Sequence, residues 1–259
     1  TRLGSRNLNP PHAIAVMAPL GWLPIRGAAY ALWAAMGLVM AITFAALRRA
    51  MEQHRSVLVM AIFVASAASM SALLLFNLGW FLAAGAAWAF VWARTGDARK
   101  SGIAIGCLAS VKIFFLLFGP YWLWRRNWRA LAWASTAFIA IFLVGVAVHG
   151  LDTYEGWIRA LRDGTPLLTL RKRPLDASLM GVADRFGLPS AIPLVGAGLV
   201  LLVAWWRLRR VTDLDREWAI VLTAMLIVTP LGWVYYWLIP ALPVALVLSA
   251  TLPPAAGLA

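Results

Sequence analysis

Long uncharged stretches alternate with short arginine-rich punctuation along this chain. Gly27 to Leu47 carries no charge and is followed by Arg48, Arg49 and Arg55. Ser56 to Ala93 is also uncharged, about 57 Å as one helix, far beyond the roughly 30 Å of a hydrocarbon core. It is expected to fold back near Asn77, Leu78 and Gly79 before Arg94, Arg99 and Lys100. Ser101 to Trp124 is apolar except for Lys112 and ends at Arg125, Arg126 and Arg129. Ala130 to Val148 reads as a clean span, and His149 to about Gly187 as a polar segment. Leu188 to Trp206 is a further span, closed by Arg207, Arg209, Arg210 and Arg216. Trp218 to Leu252 again exceeds one crossing, and Pro230, Leu231 and Gly232 supply the natural break.

Composition fixes the class. Apolar residues make up 63% of the chain and charged residues 13%, about half the charge fraction of a soluble domain. Hydrocarbon admits only helices or closed barrels as spanning structures, and the alternating pattern of a barrel is absent. The expectation is therefore all-α: a multi-pass integral membrane protein, residues 1–259 forming one transmembrane domain with an outer loop at 149–187. The net charge of +13 punctuates apolar runs rather than interleaving with stacking aromatics, so it reads as an orientation signal and not as a nucleic-acid surface. One cysteine, Cys107, excludes an intrachain disulfide and any thiolate metal cluster.

Lys112 is the chemical focus. An ammonium at the centre of a membrane costs roughly 3 kcal/mol on insertion scales, which marks it as functional by default. As a single span, 101–124 would place its basic flanks on opposite sides. As a re-entrant hairpin with Lys112 at the tip, it places both flanks in the cytoplasm. Counting basic residues hardly separates the two readings; convergence favours the hairpin. With it, the N-terminal NLNPPH, Asn77, Lys112, the 149–187 loop and the Pro230 break all face one non-cytoplasmic side. Besides Arg159 and Arg162, the outer loop then holds Arg171, Lys172, Arg173 and Arg185, and the run Arg171-Lys172-Arg173 opposes the orientation rule. Guanidinium forks match phosphate oxygens and an ammonium adds a point charge, so Arg171, Lys172, Arg173 and Arg185, with Lys112, are candidate phosphate contacts. A solvated, headgroup-facing loop is the plainer reading of the same run.

Four separated segments resemble glycosyltransferase family 87, a family of multi-pass GT-C-fold enzymes that use polyprenyl-phosphate sugars. They are NLNPPHAIAVMAPLGWLPIRGAAYALW, GIAIGCLASVKIFFLLFGPYWLWRRNWRAL, PLDASLMGVADRFGLP and VTPLGWVYYWLIPALP. They stand in the family's order and cover nearly the whole chain. The family's Asn-Gln-Ser positions read Asp176, Ala177 and Ser178 here, and its histidine-type positions after Trp233 read Tyr235 and Tyr236. The resemblance implies a GT-C-like bundle with about seven crossings plus the hairpin. It also implies a first helix and a loop bearing a catalytic Asp or Glu, so the base is expected upstream of Thr1.

The implied reaction is metal-independent, inverting transfer of a hexose, with mannose the commonest expectation. The donor is a polyprenyl phosphate, the acceptor a cell-envelope glycan or glycolipid on the non-cytoplasmic side of a plasma membrane, and no cofactor is expected. Such transfer needs a base, cations on the departing phosphate and a pocket aligning acceptor and anomeric carbon. Asn9, His12, Asn77, Ser178, Trp233, Tyr235 and Tyr236 are the candidate substrate contacts. Prolines 10 and 11 also read simply as a stiff entry, and Trp233 as part of an interfacial aromatic belt. The histidines and acids show no metal-ligand pattern. A lipid-linked sugar or oligosaccharide transporter is the rival class, because broken helices and a mid-membrane charge are transporter features too. A structural subunit of an envelope-assembly complex is the third.

Overall fold

A computed structural model describes residues 9–15, 18–74, 77–162, 176–230 and 232–251. These residues are helical, and their one β-bridge pairs Asp176 with Trp233. The helices are α1 (Pro11–Ala15), α2 (Ile25–Ala50), α3 (Gln53–Ala65), α4 (Ala67–Leu74), α5 (Gly79–Arg94), α6 (Ala98–Val111) and α7 (Phe118–Trp124). After them come α8 (Trp128–His149), α9 (Leu151–Arg162), α10 (Leu179–Arg185), α11 (Ala191–Leu208), α12 (Leu214–Val228) and α13 (Ala241–Thr251). Short 3-10 helices occupy Ala18–Trp22, Ile113–Leu117 and Val234–Leu238.

Among the described residues, α2, α8 and α11 are long and apolar enough to cross a membrane. A fourth candidate is the pair α3 and α4, bent by 57°. The bend falls at Ser66, where neither proline nor glycine stands. Ser66 is extended (φ −71°, ψ 151°). Its hydroxyl donates to the Phe63 carbonyl at 2.7 Å and accepts the Ser69 amide at 3.1 Å. A serine can close one helix and cap the next in this way. The expected fold-back at Asn77–Gly79 lies between α4 and α5. The faces of α8 and α11 expose Leu143, Val144, Val148, Leu194, Val195 and Leu202, each more than half open. That is far more contiguous apolar surface than a water-soluble monomer presents.

The chain reverses at Lys112. α6 and α8 run parallel, with Gly102 packed on Ala130 and Gly106 on Ala134. A Cβ at either glycine would collide with the α8 backbone carbonyls, so glycine is what lets the two helices touch. Parallel packing of α6 and α8 requires the intervening segment to travel back. α6 rises about 21 Å; the 113–117 turn and α7 together return about 20 Å. Neither limb is long enough to span hydrocarbon alone.

The basic segments collect at one end of the bundle. Arg94 donates to the Ala50 carbonyl at 2.9 Å and pairs with Asp215 at 3.1 Å. Arg125 donates to the Leu208 and Val211 carbonyls at 3.1 and 2.7 Å and forks onto the Glu217 carboxylate. Glu217, 5% exposed, also accepts the Tyr121 hydroxyl at 2.6 Å. These contacts fasten the outgoing end of α7 to α12. Between the ends lies one apolar core that includes Trp80, Phe90, Phe115, Phe118, Trp218 and Leu222.

Candidate functional site

Lys112 sits where α6 stops. Its backbone is extended (φ −136°, ψ 105°), its amide still donates to the Leu108 carbonyl at 2.8 Å, and its carbonyl accepts the Phe115 amide at 3.1 Å. The helix thus ends with its backbone polar groups satisfied, and the side chain is directed into the turn region. Nζ donates to Asn9 Oδ1 at 2.6 Å and lies 5.2 Å from the centroid of the Tyr236 ring. One amide oxygen and one ring face hold the ammonium, and neither carries a compensating negative charge.

The N-terminal segment clamps the same turn. Pro11 opens α1, a position where its missing N–H costs nothing. His12 follows, with Nε2 2.6 Å from the Ser110 carbonyl and Nδ1 2.8 Å from the Tyr154 hydroxyl. A carbonyl only accepts, so Nε2 carries the proton; in the neutral ring Nδ1 then accepts from Tyr154. Gly145 on α8 makes the room. A Cβ there would land on the Tyr154 hydroxyl and come 2.7 Å from His12 Cβ. Both ring nitrogens of His12 are engaged within the protein, so it braces the turn beside Lys112 rather than offering a free nitrogen to substrate.

The break after α12 supplies the aromatics. Trp233 stacks on Tyr235 at 5.9 Å with an 11° interplanar angle. Tyr235 meets Tyr236 edge-on at 4.8 Å, and Tyr236 meets Phe114 at 5.4 Å. The side chains of Asn77 and Tyr236 reach the Tyr235 hydroxyl. Gly79 permits this packing, since a Cβ there would stand 2.9 Å from the Tyr235 carbonyl oxygen. Lys112, Asn9, Asn77, Trp233, Tyr235 and Tyr236 therefore form one linked cluster.

Asp176 ties the outer segment to that cluster. Its carboxyl is 0% exposed. Oδ1 accepts the amides of Ser178 and Gly232, both at 3.0 Å, and the Ala177 amide donates to the Gly232 carbonyl at 2.7 Å. Arg185 Nη1 donates to the Asp176 carbonyl at 2.6 Å, which brings one of the four outer basic candidates to the backbone paired with Trp233. Arg171, Lys172 and Arg173 lie outside the described residues. Ser178 is the cap of α10: its hydroxyl accepts the Gly181 amide at 3.0 Å and donates to the Pro230 carbonyl at 3.4 Å. Its role is to hold the 176–178 segment on the Pro230 break.

Around this cluster two buried oxygens have no hydrogen-bond partner, Asp176 Oδ2 and Asn77 Oδ1. Buried acceptors of this kind call for donors, and hydroxyl groups are the simplest. The arrangement thus brings together one cation, a set of ring faces and two acceptors. Sequence reasoning missed Asp176 and Tyr154. An acid two residues before a capping serine was a signal for the first; the second becomes visible only through its contact with Gly145.

The sequence model of glycosyltransferase family 87 matches residues 7–252. A stretch of 155 residues is 27% identical to the polyprenol-phosphate-mannose-dependent alpha-(1-2)-phosphatidylinositol mannoside mannosyltransferase of Mycobacterium tuberculosis (strain ATCC 25618 / H37Rv). That stretch is 57% of this chain and 36% of the relative. The chain therefore matches little more than a third of that protein's length. No solved structure matches the chain.

Proposed function

The chain belongs to glycosyltransferase family 87, and from that premise we propose that it takes part in transferring a mannose-type hexose from a polyprenyl-phosphate donor to an envelope glycolipid or glycan. The observation that carries this reading is the placement of Lys112. An ammonium with no described acidic partner, held by Asn9 and Tyr236, stands beside Trp233, Tyr235 and Asn77.

In the proposed mechanism the donor phosphate lies at Lys112, with Arg185 of the outer segment as a second cation. As the bond from the anomeric carbon to the phosphate oxygen lengthens, negative charge grows on the leaving phosphate. A positioned cation lowers the barrier most where that charge develops. Lys112 supplies that charge without a divalent ion. Trp233 and Tyr235 offer ring faces to the sugar, while Asn77 Oδ1 and Asp176 Oδ2 accept its hydroxyls. A carboxylate on a further loop takes the acceptor's proton, and attack opposite the phosphate inverts the anomeric centre.

The proposed topology has the basic end in the cytoplasm and the Lys112 end outside. α2, the bent α3–α4 pair, α5, α8, α11, α12 and α13 make seven crossings, and α6 with α7 is re-entrant.

The test is transfer of radiolabelled mannose from polyprenyl-phosphate mannose by membranes carrying the full-length protein, native or Lys112→Met. Methionine keeps the apolar stem and removes the charge. Loss of about 2–4 kcal/mol of transition-state stabilisation is roughly a hundredfold or more in rate, with expression and melting temperature unchanged. Near-native activity in Lys112→Met would sink the proposal.

A further inference from the structure

The bundle has a second polar site, at the end opposite Lys112. There the first turns of α6 and α8 meet the last turn of α7 and the first turn of α12 around a cavity of about 500 Å³. Ser101, Tyr121, Arg125, Arg126, Asn127 and Glu217 contribute its polar lining. That volume is in the range of small-ligand pockets.

Three features define what it would take. Ser101 is 1% exposed, lines the cavity, and its hydroxyl has no partner. A buried hydroxyl without a partner requires one from a ligand or solvent. Glu217 is the lining carboxylate, and its two oxygens are already taken by Tyr121 and by the Arg125 fork. It therefore adds little free negative field. Arg126 remains, an exposed guanidinium on the cavity wall. α6 and α8 also begin there; the Asp97 carboxylate caps the first and offsets its positive end, so the neutrally capped end of α8 is the one that adds positive potential. With the Arg125–Glu217 and Lys100–Asp97 pairs each neutral, Arg126 leaves the cavity with a net positive charge.

We propose that this cavity binds a phosphate ester, one phosphate group held by Arg126, Ser101 and the first turn of α8, separately from the donor site. The phosphate could be supplied by the headgroup of an anionic phospholipid in the adjoining leaflet or by free phosphate; both present the same oxygens.

Arg126 permits a clean variant. Its φ is 55°, the left-handed region where glycine is at ease and a side chain is not. Arg126→Gly removes the charge and relieves the backbone, so it folds at least as well as the native chain. Ser101→Ala removes only the hydroxyl. Both are placed in a full-length Lys112→Met background, so that lipid phosphate held at the donor site does not contribute and failure of the donor-site reading leaves this test intact. The protein is reconstituted in nanodiscs of phosphatidylcholine with or without phosphatidylglycerol, and retained lipid is read by native mass spectrometry.

The Lys112→Met protein should retain one phosphatidylglycerol. Adding Arg126→Gly and Ser101→Ala should lower that occupancy at least fivefold. If 10-fold excess inorganic phosphate displaces the lipid, the phosphate group alone suffices. If it does not, the site reads the headgroup as a lipid. Phosphate that raises the melting temperature in pure phosphatidylcholine, only while Arg126 and Ser101 are present, identifies free phosphate as the ligand. Equal retention with and without Arg126 and Ser101, together with no response to phosphate, overturns the proposal.

Discussion

Gly145→Ala would drive a methyl group onto the Tyr154 hydroxyl and against His12 Cβ. Overpacking of this kind costs about 1–3 kcal/mol, so the melting temperature of the purified protein should fall. The strain arises from a specific ring, so Gly145→Ala with Tyr154→Ala should cost less than the sum of the two single changes. Strict additivity would mean that His12 and Tyr154 do not fill the space beside α8. At this scale the sequence was a good guide to chemistry and a poor one to partners. Lys112 stood out because one charge interrupts an apolar run. Asn9, Asn77, Trp233, Tyr235 and Tyr236 were legible as polar or aromatic residues at helix breaks. His12 and Ser178 looked like substrate contacts, yet their polar atoms are occupied by Ser110, Tyr154, Gly181 and Pro230. A hydrogen bond across 98 or 142 positions leaves no local trace in composition or spacing.

Among the elements, the hairpin turns on two glycines. Gly106 packs its backbone on Ala134 and Ala137 of α8, and Gly102 does the same one turn earlier. Between apolar helices, association rests on close packing rather than on water exclusion. Gly106→Leu should therefore separate α6 from α8, lower the melting temperature and displace Lys112 from Asn9. Activity would fall even in the fraction that remains folded. The same leucine at Gly119 on α7, where the structure leaves open space, should be tolerated. If Gly106→Leu behaves like Gly119→Leu, the parallel α6–α8 contact is wrong. The basic flanks of 101–124 hardly separated a reversal from a single span; what favoured the reversal was that NLNPPH, Asn77, Lys112, the 149–187 loop and the Pro230 break then share one side. The four-residue spacing of Gly102 and Gly106 in GIAIG suits a close-packed helix face, but only the structure shows that α8 is the helix α6 meets. The bend at Ser66 was not legible. It depends on one serine acting as acceptor for Ser69 and donor to Phe63, and serines elsewhere in the chain look identical in sequence.

Across the whole molecule, the arginines and tryptophans sort together. Arg49 lies over Trp88 at 4.9 Å, Arg99 over Trp133 at 4.7 Å, and Arg210 over Trp206 at 4.0 Å. Each pair sits toward the end where Arg94 meets Ala50 and Arg125 meets Val211. Guanidinium over indole contributes about 0.5–1 kcal/mol at an exposed site, and both groups favour the membrane boundary. Among the described residues most of the arginines thus form a band at one end, while Arg26, Lys112, Arg159, Arg162 and Arg185 lie toward the other. This arrangement predicts the orientation. In a Cys107→Ala background, single cysteines replacing Lys100, Arg129 and Arg210 should resist a membrane-impermeant maleimide in intact cells and react after permeabilisation. Cysteines replacing Asp152 and Glu155 on the exposed surface of α9 should react in intact cells. The decisive pair is Lys100 and Arg129, which flank the hairpin at 101–124. Two residues on the same side require the chain between them to turn back within the membrane. Opposite labelling of those two positions would make 101–124 a single crossing, carry Lys112 into mid-membrane, and break its contact with the N-terminal Asn9 along with the phosphate site built upon it.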